Sequence, residues 1–267
     1  MATAKATTQD LTAKTFRRRL EDFWRYVKRN PSLGVGLGLF LSLFLFVAIG
    51  YATYEVERYR PLSGGPDLAP FEKDSYNPVT RSNGYILGTD RQGRDVMAVM
   101  IAGIPLTLQI GLIAGLIGIT VGTILAFMAA YYGGWIDQVI STIVDVGLTI
   151  PGILILIVIA VNLQSGLSVP QMGLAVSAVA WVWPARTIRA QVLVMREQLY
   201  VEIARLSGTS GFSIMFKEML PNLAPYIGAS LVGSVASAIL ASVGLEALGL
   251  GPFDSPTLGM TIYWNIQ

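Results

Sequence analysis

Asp145 is the one clear acid that the hydropathy pattern places within an apolar run, the stretch from about Val139 to Val161 that also holds Pro151. A carboxylate at membrane depth is costly and is a functional candidate by default. Two uses are open to it. Either it faces a path through the membrane and meets a solute's amino group, or it lies near the end of the run and bonds a neighbouring helix or Trp135. Pro151 takes a backbone N–H from the same helix and kinks it, which suits a moving helix but is common in any bundle. Cys and His are both absent from the 267 residues. Disulfides, the usual Cys/His zinc sites and histidine acid–base chemistry are therefore excluded. The sequence also lacks a Gly-x-x-x-x-Gly-Lys-Ser/Thr phosphate loop and paired acids within an apolar run. No catalytic residue and no metal site is assigned, and no cofactor bound by this chain is expected.

Two further polar clusters stand out. In "LGTDRQGRDV", Gly88, Thr89, Asp90, Gly93, Arg94 and Asp95 read as a compact turn: Asp caps, Gly bends, and Arg94 can pair with a carboxylate. The turn either fixes the entry to the next apolar run or offers a contact surface. "YVEIARLSGTSGFSIMFKEMLPN" (Tyr200 to Asn222) is charged and broken in the middle, yet lies between apolar runs. Leu199, Ile203 and Leu206 fall at i, i+4 and i+7 of a helix. Gly208 supplies the positive-φ position that ends it. Thr209 or Ser210 can cap a second short helix in which Phe212, Met215, Phe216 and Met219 share a face. Pro221 fits the first turn of the following run. The expectation is a two-helix hairpin at a membrane surface whose apolar face asks for a partner; a plain connecting loop is the alternative.

The elements that must hold these clusters are membrane spans. Charged residues make up 13% of the chain, about half of what a soluble domain carries. Mean hydropathy is +0.57. Apolar runs long enough to cross a bilayer are expected at Ser32–Tyr54, Leu106–Tyr132, Val139–Val161, Pro170–Pro184 and Leu223–Leu248. The last is rich in Gly, Ala and Ser, which suits close helix packing. Trp181, Trp183 and Pro184, near a span end, read as interface anchors in preference to a substrate cage. The fold class is thus all-α, a polytopic membrane bundle. It divides into a cytoplasmic tail (1–31) with an amphipathic basic helix, a first span (32–54), an outer loop (55–105) and a core (106–267) with its hairpin at about 196–219. Eight cations precede the first span, and Arg186, Arg189, Arg196, Arg205 and Lys217 follow the fourth. An even number of crossings separates the two groups, so both fit the cytoplasmic side with the N-terminus inside. A cleavable leader is not expected, because the charged stretch before the first apolar run near Ser32 would be far too long for one.

The hairpin spacing resembles the "EAA" loop of ABC-importer permeases: Glu202, Ala204, Gly208 four residues on, then Leu220-Pro221. Ile203 and Glu218 depart from that pattern. "LGTDRQGRD", "AAYYGGWIDQ", the pairing of Val144-Asp145 with Ile150-Pro151, and "LPNLAPYI" resemble the dipeptide/oligopeptide branch, in its C-type subunit. The resemblance covers about Arg18 to the last residue. It implies a type I importer permease fold of six spans with the C-terminus inside; five are visible and the last is expected to be missing from this chain. It implies a non-catalytic transport subunit in the cell membrane, half of a translocation path shared with a second, B-type permease. Two cytoplasmic ATPases would carry the ATP and Mg2+, and an extracytoplasmic binding protein would deliver di- or oligopeptides. Glu202, Ile203, Ala204, Leu206, Gly208, Phe212, Met215, Leu220 and Pro221 would couple to the ATPase; Asp145 and Pro151 would border the path. Nickel chelates or another solute are alternative cargoes. An ion-coupled secondary transporter, which would need several intramembrane acids or inverted repeats, and a membrane-embedded enzyme are different classes with less in their favour. Nothing in the sequence points to a nucleic-acid partner.

Overall fold

The computed structural model describes residues 21–72, 85–162 and 167–266, which are almost wholly helical; the one β-bridge among them joins Thr89 to Asp95. The expected basic helix over 15–30 falls partly outside these residues; within them, 21–29 are helical (α1). The chain forms two compact units, residues 1–54 and 55–267. In the first, α2 (Pro31–Thr53) opens with a proline in its first turn, where a missing N–H is harmless. It is apolar on every side, as a helix surrounded by lipid or other spans must be.

The second unit is organised around α3 (Val96–Tyr132), 37 residues long. At 1.5 Å per residue it runs about 55 Å, well beyond the roughly 30 Å hydrocarbon core. It begins ten residues before the expected span because Asp95 caps it, accepting from Met97 N at 2.9 Å and Ala98 N at 3.4 Å. Two pairs of glycines spaced by four make α3 the central helix. A Cβ at Gly115 would lie 2.6 Å from Val235 Cγ2, and one at Gly118 would lie 2.8 Å from Ala180 Cβ. Gly111 and Gly115 therefore admit α10 (Leu220–Ala247), while Gly118 and Gly122 admit the junction of α6 (Val169–Ala180) and α7 (Val182–Arg196).

The expected third span is not a kinked helix but a broken one. α4 (Gly134–Thr149) and α5 (Gly152–Asn162) meet at 85°. Ile150 is extended (φ −82°, ψ 126°), as a residue before proline is driven to be. The expected fourth span is α6 followed by α7, interrupted only at Trp181, whose backbone stays in the right-handed helical region. By length and composition three described helices can cross a membrane, or four if the bent pair is one span. Short helices follow: α8 (Leu199–Leu206), α9 (Gly211–Ser213), and, after α10, α11 (Leu258–Ile266). A π-helical turn, Ile214–Met219, joins α9 to α10 without a break. Instead of two short helices before a fifth span, the second arm and the span form one rod, Gly211–Ala247. Pro221 lacks the N–H that would reach the carbonyl four residues back, and the π turn precedes it.

Two larger buried clusters, and a small one of Val144, Val182 and Ala185, hold the unit together. One joins Ile110 and Ala114 of α3 to Leu156, Met172, Val176, Ala238 and Leu245. The other gathers Phe127 and Ala130 of α3, Ile188 and Val192 of α7, Val201 of α8, and Ile214, Met215 and Met219 of the π turn. Fully burying a large apolar side chain contributes about 1.5–3 kcal/mol, so this second cluster anchors the hairpin firmly.

Candidate functional site

The hairpin is built from α8, a four-residue turn (207–210) and the start of the rod. Gly208 sits at φ +78°, a left-handed position that costs other L-residues roughly 1–2 kcal/mol. The turn closes helix-end fashion: Gly208 N donates to Arg205 O at 3.1 Å and Thr209 N to Ala204 O at 3.1 Å. Ser210 caps the second arm by accepting from Ser213 N. Val201 is wholly buried and fastens α8 to the bundle, with half-buried Ala204 beside it. On the other side of α8, Leu199, Ile203 and Leu206 are exposed, Leu206 to 81%, with Glu202 exposed among them. Nothing lies within 4 Å of a Cβ at Gly208, so the turn stands clear of the bundle.

The second arm divides differently from the expected single face. Met215 (5% exposed) and Met219 (0%) point into the chain's own core and leave no surface for a partner. Phe212 and Phe216 stack with ring centroids 4.5 Å apart. With Ile124, Met128 and Tyr132 of α3 and half-buried Leu220, they line an apolar groove of 650 Å³. Met215 thus faces the interior, while Phe212 and Phe216 stay more than half exposed beside α3 and leave a second apolar surface next to the exposed side of α8. Pro221 is exposed at the start of α10.

Behind the hairpin, α7 is tied to its neighbours by arginines. Arg189 makes a two-pronged pair with Asp137, both contacts at 2.6 Å, and Ser141 Oγ donates to the same carboxylate. Arg186 meets Asp145 at 3.1 Å, with both side chains more than half exposed. Of the two uses open to Asp145, bonding a neighbouring helix is the one seen. Arg196 donates to Ala130 O at 2.8 Å, satisfying a carbonyl near the end of α3. Asp137 was visible within "AAYYGGWIDQ", but only the structure pairs it with α7.

The Gly88–Asp95 turn lies against the outer-loop segment 58–71. Asp90 Oδ1 accepts from Gln92 N and Arg94 N, each at 2.9 Å, and Asp90 Oδ2 meets the Arg94 guanidinium at 2.7 Å. That pair is almost wholly buried. Gly88 (φ +76°) and Gly93 (φ +69°) make the bends. Thr89 Oγ1 donates to Gly65 O and accepts from Leu68 N. Tyr85, wholly buried, donates to Ser63 O. The turn fixes the entry to α3, with Arg91 left exposed and Gln92 half-buried.

Asp145 is not the only acid in a spanning helix. Glu246, 0% exposed near the end of α10, accepts from Thr257 Oγ1 at 2.6 Å and Met260 N at 3.1 Å. Leu258 N donates to Thr107 Oγ1 of α3 at 3.0 Å. Two spanning helices thereby cap the start of α11. A lone acid in "SVGLEALGLG" was the available signal.

A polytopic helical bundle with a surface hairpin and no metal-holding cluster among the described residues has the form of a transport component. The comparisons make that specific. The family model described as "binding-protein-dependent transport system inner membrane component" matches residues 118–266. The glutathione transport system permease protein GsiD of Pectobacterium atrosepticum is 30% identical over 251 residues, covering 92% of this chain and 78% of that protein. GsiD of Shigella sonnei is 31% identical over 236 residues (86% and 72%). The dipeptide transport system permease protein DppC of Bacillus subtilis is 32% identical over 238 residues (88% and 70%). The chain belongs to the family of binding-protein-dependent transport system inner membrane components, and the resemblance to peptide-branch ABC-importer permeases is borne out. It is an integral inner-membrane permease subunit.

Proposed function

We propose that this chain is the non-catalytic permease subunit of an ATP-driven importer of short peptides, with the hairpin 199–219 as its coupling element. The observation that carries this is the exposed apolar side of α8, Leu199, Ile203 and Leu206, braced by buried Val201 and ended at Gly208. Such a face at a membrane surface is stable only against a partner. A cytoplasmic ATPase fits, because the chain has no phosphate loop of its own. ATP and Mg2+ would sit on two such subunits. A related second permease would complete the path, and a binding protein would deliver cargo from outside. The names of the glutathione and dipeptide relatives support a peptide cargo. The cations of α7 and the hairpin are separated from those before α2 by an even number of expected crossings, which supports a cytoplasmic N-terminus.

The lack of native cysteine gives a direct test. Ser210→Cys, paired with single cysteines along the surface of the cognate ATPase, is oxidised in membranes with and without nucleotide. A cross-linked band whose intensity changes with nucleotide is expected. No band at any position, with both proteins present, would falsify the coupling role.

A further inference from the structure

α10 carries three distinct sides. Leu231, Val235 and Ala238 pack on the bundle, Val232 (71%) and Leu240 (73%) are exposed and apolar, and Ser230, Ser234 and Ser237 form a third. This third side faces an open cavity of 330 Å³ whose other wall is the α6–α7 junction, including Trp183, Pro184 and Thr187, with Tyr226 at one end. Ser234 lies 14 residues from Leu220 and 13 from Ala247, so the cavity sits at mid-height of α10.

The state of these hydroxyls, shared with Thr123 of α3, differs from that of most others in the described helices. Ser42, Thr142, Thr149, Ser177 and Ser242 each donate to a backbone carbonyl three or four residues earlier, the usual way a helix satisfies a hydroxyl without water. Among the described residues, Ser230, Ser234 and Ser237 make no such bond, although carbonyls are equally near in the same helix. A hydroxyl left unbonded against lipid tails is costly, and the apolar Val232–Leu240 side already serves that contact. The cavity contains no Asp, Glu, Lys or Arg.

We infer that this cavity is a wall of the solute path, and that it takes an uncharged, amide-bearing stretch of a short peptide through the hydroxyls of Ser230, Ser234 and Ser237, with Trp183 and Tyr226 flanking apolar side chains. The inference rests on the importer reading. It assigns the path to α6, α7 and α10, whereas Asp145 is held by Arg186 in a separate, smaller cleft between α4 and α7. Trp183, expected as an interface anchor in preference to a substrate cage, borders the cavity. Because the wall is neutral, it contacts cargo through main-chain amides and does not select side-chain charge.

The test uses the assembled importer in proteoliposomes, with single cysteines at Ser230, Ser234, Ser237, Val232 and Leu240. A small, permanently charged thiol reagent is expected to modify the three serine positions at least tenfold faster than Val232→Cys and Leu240→Cys. Modified Ser234→Cys then loses peptide uptake while peptide-loaded binding protein still stimulates ATP hydrolysis. Ser234→Asp is expected to slow a dipeptide with net negative charge at least fivefold more than one with net positive charge. Equal slow labelling at all five positions would mean that the serine side is packed against the second permease, and would overturn the inference. So would equal effects of Ser234→Asp on both dipeptides. Failure of the importer reading itself looks different: the unmodified complex then shows neither peptide uptake nor stimulated ATP hydrolysis.

Discussion

Thr89, Asp90, Arg94 and Asp95 are polar and buried, whereas Leu199, Ile203 and Leu206 are apolar and exposed. Both groups belong to family-like motifs, and each inverts the usual partition of side chains in its own direction. In the outer turn every polar group named has a partner inside the chain, and the pairs set the start of α3. In the hairpin Leu199, Ile203 and Leu206 are more than half exposed, while Val201, Met215 and Met219 beside them are buried. A motif whose side chains are satisfied internally specifies a fold. A motif that leaves apolar side chains bare specifies a complex.

Variants can break this contrast. Arg94→Ala is expected to have the largest effect, because it leaves the Asp90 carboxylate buried without its partner; breaking such a pair costs about 3–5 kcal/mol. Thermal unfolding in detergent should show a large loss of stability, and the amount in the membrane should fall. An Arg94→Ala protein of normal stability that only fails to receive cargo would show that the outer turn is a contact surface after all. Gly208→Val comes next. Its backbone strain of about 1–2 kcal/mol falls on an exposed turn, so the protein should still accumulate while uptake and stimulated ATP hydrolysis drop at least tenfold. Gly208→Asn, which tolerates positive φ, should recover most of the activity. Retained coupling in the valine variant would remove the hairpin from the mechanism.

Leu206→Ser sharpens the comparison further. At 81% exposed, it should leave unfolding within about 0.5 kcal/mol of the parent, while co-purification of the ATPase weakens several-fold. A matching loss of stability would put Leu206 in the chain's own core. The smallest effect is expected from Asp145→Asn. Its pair with Arg186 is more than half exposed on both sides, and exposed pairs contribute little. Uptake within twofold of the parent is expected; a tenfold loss would return Asp145 to the solute path.

Much of the hairpin was legible because local chemistry specifies it. The spacing of Leu199, Ile203 and Leu206 and the glycine at 208 needed no tertiary information. The second arm was misjudged because the expected shared face of Phe212, Met215, Phe216 and Met219 presumes 3.6 residues per turn. A π turn holds about one residue more, and it sends Met215 and Met219 inward while both phenylalanines stay outside. Pro151 announced a bend, but the 85° break also involves an extended Ile150 and a glycine just beyond. The partners of Asp137 and Asp145 lie 52 and 41 residues away on α7, a separation that no local pattern encodes. Glu246 was overlooked for another reason. A single acid at the end of an apolar run reads as a flank, and its bonds to Thr257 and Met260 exist only once the chain doubles back.

The unbroken rod from Gly211 to Ala247 has a mechanical consequence. It crosses α3 closely where Gly111 and Gly115 meet Ile239 and Val235, and helix backbones so near each other resist sliding apart. The rod is also fastened on either side of that crossing, by Ile214, Met215 and Met219 in one cluster and by Ala238 and Leu245 in the other. A bar pinned at several points along its length transmits a push instead of absorbing it at a hinge. A displacement applied at Gly211 would therefore be carried about 54 Å, at 1.5 Å per residue, to Glu246 and the base of α11.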